Sequence, residues 1–482
     1  MGIEIEDKFD VPSDYAVPNL AKLGDVIGPK GYRLVALYFD TADLRLAVHG
    51  VTLRRRRGGA DAGWHLKLPK AKGVRQEITH PLTRSTKIVP AELEELVRAY
   101  TRGAALQPVA ELATRREVTV VADGDIGLIE VADDRVKGTV FQDGKVERWR
   151  EVEAEILGGD EELLAKVGKR LRKAGATPSP ASSKLGRLLQ PAELPRTATE
   201  EGTAGEVVVA YLNGQVRALL AQDPRVRRAE EDAVHQMRVA ARRMRSALKA
   251  FRSIVPGTEA MQEELRWLGV VLGEARDLEV IRARFAGHLA ELPPELVAGP
   301  IRARLGDGLA AREHEVHGRI KEALSGERYY ALLDALEQPF DLGEPAAKPA
   351  EKTLADVAAK NWRRVTRAYD AAQAIDDGER REIAMHDVRK AAKRARYTAE
   401  ALGMHPLATH AEAVQEALGL YRDGVVAQET LAKEAEAARQ AGEDTFTYGV
   451  LIGLEKSAAE RAHAEFPRVW TETVKAVARY VG

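Results

Sequence analysis

Charged residues stand at every second position in several short segments near the start of the chain. In the opening segment MGIEIEDKFD, Glu4, Glu6 and Lys8 alternate with other residues, among them Ile3 and Ile5. Side chains of a β-strand point alternately to two faces, so these three charges would share one face of a strand. Two carboxylates beside an ammonium are costly unless water, a cation or a charged ligand occupies that face.

The same alternation recurs in further segments with the character of strands. Glu151, Glu153 and Glu155 stand at every second position in REVEAEIL. Arg54 and Arg56 stand two apart in TLRRRR, as do Arg75 and Glu77 in VRQEI. So many charged residues of both signs do not fill an ordinary hydrophobic core. The pattern predicts a closed antiparallel β-barrel that is apolar outside, under flanking helices, and charged inside, so that its interior is a tunnel. A sheet with one solvent-exposed, salt-bridged face is the alternative.

A tunnel lined with charges of both signs has a definite chemistry. Its basic side chains would hold the oxygens of a polyanion, and clustered carboxylates would hold hard divalent cations such as Mg²⁺ or Mn²⁺. Metal ions held between carboxylates and phosphate oxygens are the setting for phosphoryl transfer. The sequence has no Gly-rich P-loop, so side chains would have to bind the phosphates.

The character of the chain changes after about residue 190. A Pro- and Thr-containing passage is followed by long stretches rich in Ala, Leu, Glu and Arg with a 3.6-residue period, which predict an all-α domain. With 482 residues the chain is long enough for two or three domains. We therefore predict a multidomain α+β protein with a barrel domain at 1–190, a linker at 191–203 and a helical domain at 204–482, whose halves are about 204–340 and 353–482.

The two helical halves repeat each other. HQMRVAARRMRSALKAF, which begins at His235, aligns without a gap with HDVRKAAKRARYTAEAL, which begins at His386. Downstream, LGEARD at 272–277 matches LGLYRD at 418–423. Such an internal duplication predicts two pseudo-symmetric helical bundles.

Each copy carries a stripe of basic residues at helical spacing. The stripe residues are His235, Arg238, Arg242 and Arg245 in the first half and His386, Arg389, Lys393 and Arg396 in the second. Like charges along one helix face cost stability unless an anion neutralises them, so the stripes predict a basic cavity or groove. Two solvated basic helices are the alternative. Nucleic acid is not an expected ligand, because the stripes lack the interleaved aromatic residues that stack bases.

Bulk composition excludes several classes of protein. The chain has no cysteine, which excludes a disulfide scaffold, thiol catalysis and thiolate metal sites. With 73 basic and 74 acidic residues it is not a polycation, so any anion-binding surface has to be local. No apolar run is long enough to span a membrane, and the start lacks the order of a signal peptide. We therefore expect a cytoplasmic protein without a membrane partner.

The first 190 residues resemble the CYTH domains, the triphosphate tunnel metalloenzymes. EIEDKF matches the Glu-x-Glu-x-Lys signature of that family, and the likeness continues in order through TLRRRR, LKLP, TRREV, EVADD, WREVEAEIL and SSKL. The resemblance implies that metal ions are held by Glu4, Glu6, Glu153, Glu155 and, with Glu130 as the alternative, Asp133. It implies triphosphate binding by Lys8, Arg54, Arg56, Lys67, Arg115 and Lys184; the motif does not decide whether Arg115 or Arg116 faces the tunnel.

The helical part resembles the CHAD domain, an α-helical module that is often fused to CYTH and is associated with binding inorganic polyphosphate. The repeated basic segments and the LGEARD and LGLYRD segments carry this likeness. It implies that the eight stripe residues contact the polyanion, although neutral imidazole at each helix start is an alternative role for the two histidines. Arg276, Asp277 and Asp423 match the second motif and would bind the polyanion or brace the basic helices.

The two resemblances together imply an enzyme. The expected activity is metal-dependent hydrolysis of a linear triphosphate, foremost inorganic tripolyphosphate, with Glu4, Glu6 and Lys8 at its centre and long-chain polyphosphate bound by the helical domain. The alternatives are a non-catalytic polyphosphate-binding protein, associated with polyphosphate granules, a thiamine triphosphatase, and a class IV-like adenylate cyclase.

Overall fold

The computed structural model describes residues 2–71, 73–181 and 183–481. The chain forms two compact units that divide between Leu194 and Pro195. We describe each unit by itself.

Nine strands and four helices make up the first unit. The strands are β1 (Gly2–Asp10), β2 (Asp25–Asp40), β3 (Thr52–Arg57), β4 (Gly63–Ala71), β5 (Val74–His80), β6 (Gln107–Asp123), β7 (Ile126–Val140), β8 (Val146–Ile156) and β9 (Thr177–Pro178). The helices are α1 (Arg45–Val48), α2 (Ala91–Thr101), α3 (Glu161–Lys173) and α4 (Lys184–Leu189).

The strands close into an antiparallel barrel, as the sequence predicts. Their order is β5-β4-β3-β2-β6-β7-β8-β1, and β1 also pairs with β5, which closes the ring of eight. The short β9 pairs with β1 at Phe9 and Asp10. Because β1 lies between β5 and β8, the alternating charges of the opening segment meet those of two other strands on the inner face.

The barrel is apolar on the outside where helices cover it. Leu164, Val167 and Leu171 of α3 pack on Phe9 and Val152 in one hydrophobic cluster. Asp160 caps α3, since its side chain accepts a hydrogen bond from the backbone N–H of Leu163.

Helix α4 lies inside one end of the barrel. Leu185 and Leu188 are almost fully buried against Tyr38, Val136 and Trp149, which belong to the inner face. The interior is therefore apolar at this end and charged beyond it. Lys184, the first residue of α4, stands at the boundary between the two zones.

The second unit is helical throughout. Its helices are α5 (Ala204–Arg227), α6 (Ala233–Ala250), α7 (Glu259–Val271), α8 (Gly273–Glu291), α9 (Ile301–Ala303), α10 (Leu309–Ala323), α11 (Glu327–Leu336), α12 (Ala350–Gln373), α13 (Gly378–Ala401), α14 (His405–Gln440) and α15 (Phe446–Val481). Short 3₁₀ turns lie at Pro294–Leu296 and Glu344–Ala347, and a π-helical turn at Arg304–Gly308 joins α9 to α10. Across the part of the chain that the structure describes, no helix is long and apolar enough to cross a membrane.

The duplicated basic segments form α6 and α13, as predicted. Their apolar faces are buried: Met237 and Met244 of α6 are fully covered, as are Val388 and Ala392 of α13. The two helices are in contact, so the basic stripes lie in one neighbourhood.

Candidate functional site

Three glutamates meet on the inner face of the barrel. Glu6 on β1 stands opposite Glu155 on β8, and Glu4 is two residues away on the same face of β1. Burial and then the neighbouring carboxylates of Glu4 and Glu6 raise the pKa of Glu155 to about 7, although the nearby Lys67 acts to lower it. Among the described residues Glu155 has neither a hydrogen bond nor an ion pair, so this like-charge cluster lacks a full complement of counter-ions.

Two lysines neutralise part of this cluster. Lys67 Nζ lies 2.6 Å from Oε2 of Glu4 and 3.8 Å from Oε1 of Glu77. Lys8 Nζ lies 3.0 Å from Oε2 of Glu6 and also contacts Glu153. Each lysine therefore already has a carboxylate partner.

A second acidic cluster lies nearer to α4. One carboxylate oxygen each from Asp134, Glu151 and Glu153 lies within 4.8 Å of the others. Lys184 Nζ is 3.0 Å from Asp134 and 2.7 Å from each of the two glutamates, and it occupies the middle of this cluster.

Arg116 joins the second cluster from β6. Its guanidinium forms two hydrogen bonds with Asp134, at 2.8 and 2.7 Å, and one with Glu153 at 2.7 Å. Burial alone would raise the pKa of Glu153, but Lys184, Lys8 and Arg116 hold it well below its usual range. The second cluster is thus a compensated salt-bridge network.

The three glutamates that meet on the inner face, and Glu153 of the second cluster, line a cavity of about 360 Å³ inside the barrel. Arg54 and Arg56 of β3 line this cavity as well. Arg54 has no ion pair with any described residue, and its Nε atom is buried without a hydrogen-bond partner. Among the described residues, Arg54 donates one long hydrogen bond, 3.4 Å from Nη1 to the hydroxyl of Tyr38. Arg56 contacts Asp61. A buried guanidinium without a carboxylate is costly, so Arg54 is poised for an anion.

The helical unit holds a separate basic cluster, which we call the basic cleft and define by Arg238, Arg242 and Arg245 of α6 and Arg389 and Lys393 of α13. Burial and then these four arginines, Arg242 first, lower the pKa of Lys393 to about 7. Lys393 itself forms no ion pair with any carboxylate that the structure describes, so burial and like charges act on it without a direct counter-ion.

Carboxylates neutralise other members of the stripes. Arg396 donates from Nε to Glu400 at 2.8 Å and pairs through Nη2 with Glu412 at 2.8 Å. Arg238 pairs with Asp277 at 3.1 Å. Asp277 therefore braces a basic stripe, which is one of its two predicted roles.

The two histidines that begin the stripes lie at the margin of the cleft. Burial and then Arg276 lower the pKa of His235. Burial and then Lys390 and Arg389 lower the pKa of His386, which is exposed. Both imidazoles are thus more easily kept neutral than an ordinary histidine.

Comparison with known proteins gives one assignment to each unit. The CYTH domain family matches residues 2–188, and the CHAD domain family matches residues 210–432. The chain belongs to the CYTH–CHAD proteins. Two Mycobacterium tuberculosis proteins are similar to nearly the whole chain: the uncharacterized proteins MT2285 and Rv2226 are each 39% identical to it over an alignment of 502 residues, which covers 98% of the chain and 97% of either relative.

A solved structure is similar to part of this CYTH–CHAD protein. PptA from Streptomyces chartreusis is 24% identical, with a TM-score of 0.47, over 56% of this chain and 99% of the other.

Two residues predicted to face the CYTH tunnel lie outside it. Arg115 is exposed on the outer face of β6, and Arg116 takes the place predicted for it. Asp133 is buried on the outer face of β7, where it accepts two hydrogen bonds from Arg150, and Asp134 takes its place inside. Side chains alternate along a strand, so only one of two adjacent residues can enter the tunnel.

The other residues predicted for the tunnel are brought together in one cavity. Its lining includes Glu4, Glu6, Lys8, Arg54, Arg56, Lys67, Glu153, Glu155 and Lys184. It also includes Glu130, which was the alternative to Asp133. Their roles in binding metal and triphosphate stay predictions.

The carboxylates of the CYTH tunnel fit a metal ion. CYTH domains are metal-dependent, and Mg²⁺ and Mn²⁺ prefer carboxylate oxygens. Glu4, Glu6 and Glu155 supply such oxygens, and burial together with the neighbouring carboxylates raises the pKa of Glu155. The second cluster fits a metal less well, because Lys184 already lies between its oxygens.

The sequence analysis assigned no role to several tunnel residues. Tyr38, Asp134 and Glu151 contact the predicted ligands, and Glu151 belongs to the same alternating series as Glu153. His65 was missed as well: its Nδ1 lies 2.8 Å from Oε1 of Glu77. Burial would raise the pKa of Glu77, but His65 and Lys67 lower it to about 2. The alternation along β5 and β8 marks Glu77 and Glu151 as charges on the inner face, although no ligand role was assigned to them; no signal in the sequence marked Tyr38.

Proposed function

We propose that the CYTH unit hydrolyses a linear triphosphate, with inorganic tripolyphosphate as its substrate, and that the CHAD unit binds long-chain inorganic polyphosphate. The proposal rests foremost on one observation. Arg54, whose Nε atom is buried without a hydrogen-bond partner, and Glu155 line the same cavity, and neither forms an ion pair with any residue that the structure describes.

A metal–triphosphate complex would satisfy both groups at once. The phosphate oxygens would accept hydrogen bonds from the guanidinium of Arg54, and the cation would neutralise Glu4, Glu6 and Glu155. Neither a metal ion alone nor a phosphate chain alone would compensate both sets of charges. The presence of opposite, unpaired charges in one cavity thus favours a ligand that carries both signs.

The reaction is a hydrolysis of a phosphoanhydride. The oxygen of water forms a bond with a terminal phosphorus, the bond from that phosphorus to the bridging oxygen breaks, and tripolyphosphate gives pyrophosphate and orthophosphate. Lys8, Arg54 and Arg116 would bind the oxygens on which negative charge is held during transfer. A bound Mg²⁺ or Mn²⁺ would supply further charge neutralisation and an acidified water.

The CHAD unit would hold the longer polymer in the basic cleft. Arg242, Arg389 and Lys393 stand there without a carboxylate partner among the described residues, although Nε of Arg242 donates to the hydroxyl of Tyr397 at 2.6 Å. Polyphosphate bound in the cleft would raise the concentration of phosphate chains near the tunnel. Because the contacts are ionic, the affinity should fall steeply with salt.

Product analysis tests this proposal. The purified chain is incubated with tripolyphosphate, ATP or thiamine triphosphate and Mg²⁺ or Mn²⁺, with a chelator in parallel. We expect tripolyphosphate to give orthophosphate and pyrophosphate in equal amounts. We also expect it to be hydrolysed faster than ATP or thiamine triphosphate. Formation of cyclic AMP and pyrophosphate from ATP would identify a cyclase. If orthophosphate were released fastest from thiamine triphosphate, the enzyme would be a thiamine triphosphatase. No turnover together with salt-sensitive binding of polyphosphate would identify a binding protein.

A further inference from the structure

Arginines stand directly opposite one another across four strands on the outer wall of the CYTH barrel. Arg33 on β2 is in register with Arg115 on β6, Arg115 with Arg135 on β7, and Arg135 with Arg150 on β8. Adjacent strands lie about 4.8 Å apart, so the row spans about 14 Å. Like charges directly opposite one another destabilise a sheet.

A second basic pair extends this row. Lys137 on β7 is in register with Arg148 on β8 and lies two residues from Arg135, on the same outer face. We call the six residues of the two rows the outer basic face: Arg33, Arg115, Arg135, Lys137, Arg148 and Arg150. All six line a shallow concavity of about 880 Å³.

The outer basic face is only partly neutralised. Arg150 pairs with the buried Asp133 at 2.7 Å, and Arg135 pairs with Glu117 at 3.7 Å. The remaining four, Arg33, Arg115, Lys137 and Arg148, are exposed and form no ion pair with any residue that the structure describes. Asp10 is the one acidic residue among the described residues that line the concavity, and Arg187 pairs with it at 2.9 Å.

We propose that the outer basic face binds a segment of long-chain inorganic polyphosphate, as a second site on the chain distinct from the tunnel. The ligand belongs to the class of the proposed function, and in that sense this inference rests on it. Arginine guanidinium groups match phosphate oxygens and can bind them in a bidentate manner. An extended phosphate chain laid across the strands would neutralise the four exposed residues of the face that form no ion pair with a described residue.

The lining of the concavity favours polyphosphate over single-stranded nucleic acid. Binding of single strands combines basic residues with aromatic rings on which bases stack. The one aromatic residue among the described residues that line the concavity is Trp149, which is 9% exposed and lies under Arg187, 5.2 Å from the guanidinium to the ring centroid. The face therefore offers charge without a stacking platform.

Protection of Lys137 from acetylation tests the proposal at the site itself. The full chain is treated with an amine-reactive reagent and increasing long-chain polyphosphate, in chelator to prevent turnover, and each lysine is followed by mass spectrometry. Lys137 should be protected, and exposed Lys30 on β2, outside the concavity, should not. Equal protection of both lysines, or of neither, would overturn the proposal.

Charge reversal supplies matched variants. Arg33→Glu/Arg148→Glu should raise the polyphosphate concentration that half-protects Lys137 by at least about tenfold, since each charge-assisted contact contributes about that factor or more. Lys169→Glu/Lys173→Glu makes the same change in charge on the exposed face of α3 and should leave the concentration unchanged. An equal effect of both variants would show a non-specific field and contradict the proposal.

Two further measurements distinguish a failure of this inference from a failure of the proposed function. Single-stranded oligothymidylate of matched charge should protect Lys137 far more weakly; equal protection would show that the face binds nucleic acid and would overturn the proposal. Hydrolysis of tripolyphosphate by Arg33→Glu/Arg148→Glu should proceed at the rate of the unaltered chain. If the unaltered chain does not hydrolyse tripolyphosphate but its Lys137 is protected, the proposed function fails and the outer site stands.

Discussion

The guanidinium of Arg389 lies against Gly419, with its Nη2 atom 3.2 Å from the position that a Cβ atom would take on that glycine. The corresponding pair in the first half is Arg238 and Gly273, with 3.7 Å between the same atoms. In both halves the glycine of the Leu-Gly motif thus leaves room for an arginine of the basic cleft. The duplication preserves this contact although the residue after each glycine differs.

These paired glycines give a prediction with an internal control. Gly419→Ala should lower the affinity for long-chain polyphosphate by up to about tenfold, because the new methyl group displaces Arg389 and weakens one charge-assisted contact. Gly273→Ala should leave the affinity unchanged, since 3.7 Å is an ordinary contact. Neither variant should lose stability, because alanine favours helices more than glycine does. Titration calorimetry measures the affinities; equal losses in both variants would contradict the assignment.

Binding of polyphosphate to the CHAD unit should depend on pH through Lys393. The pKa of this lysine is about 7 in the free protein, so it is charged below that pH and increasingly neutral above it. A bound anion favours the charged form, so binding takes up a proton above pH 7 and the affinity should fall by about tenfold between about pH 6 and pH 8.5.

The groups that surround Lys393 do not share this titration. Arg238, Arg242, Arg245 and Arg389 stay charged throughout, and lowered pKa values leave His235 and His386 largely neutral above pH 7. The variant Lys393→Met, measured over the same range, controls for ionisation of the polymer. A decline of the same size in this variant would contradict the role of Lys393.

Adjacent arginines of β6 should differ sharply in their effect on hydrolysis. Arg116→Ala removes a tunnel guanidinium that bonds to Asp134 and Glu153, and it should lower kcat for tripolyphosphate by about 10²–10³-fold, the usual cost of losing one donor to a charged transition state. Arg115→Ala changes the outer face and should leave kcat unchanged. If Arg115→Ala lowered kcat as much as Arg116→Ala, the register of β6 would be wrong.

Removing one partner of a buried ion pair in α5 should strongly destabilise the helical unit. Arg227 Nε lies 2.6 Å from Oδ1 of Asp223, and both side chains are fully buried. Asp223→Ala leaves the arginine buried without its partner and should lower the free energy of unfolding by about 3–5 kcal/mol. Glu263→Ala breaks the exposed pair with Arg266 and should cost at most about 1 kcal/mol. Urea unfolding followed by circular dichroism compares them; equal midpoints would contradict the prediction.

The fold could be predicted because its pattern is redundant. Alternating charges on several strands require one face that is not an ordinary core, and a gapless repeat of basic helices requires two related bundles. The sequence also predicts helical stretches near 90–102 and 160–174 between the strands, and these are α2 and α3 in the structure. Each of these inferences rests on many residues, so an uncertainty at one position does not change it.

The residues of the site could be predicted only where the alternation of side chains leaves one possible residue to face the tunnel. Glu153 and Glu155 are separated by alanine, so their face is unambiguous. In TRREV and VADDR two like residues are adjacent, and either of them could enter the tunnel. Strand parity would have decided the second case: Glu130 and Asp134 share a face, whereas Asp133 is an odd number of residues from Glu130. Partners such as Arg116 with Asp134 come from different strands, so only the register brings them together.

The central claim is that the glutamates of the CYTH tunnel hold the metal ion that supports hydrolysis of tripolyphosphate. The most direct measurement is the rate of orthophosphate release from tripolyphosphate, with Mg²⁺ and with chelator, by the unaltered chain and by Glu4→Gln/Glu6→Gln. We predict release by the unaltered chain with Mg²⁺ alone, and none above background by the variant, which should still bind long-chain polyphosphate. Release by the variant at the rate of the unaltered chain, or release that persists in chelator, would contradict the claim.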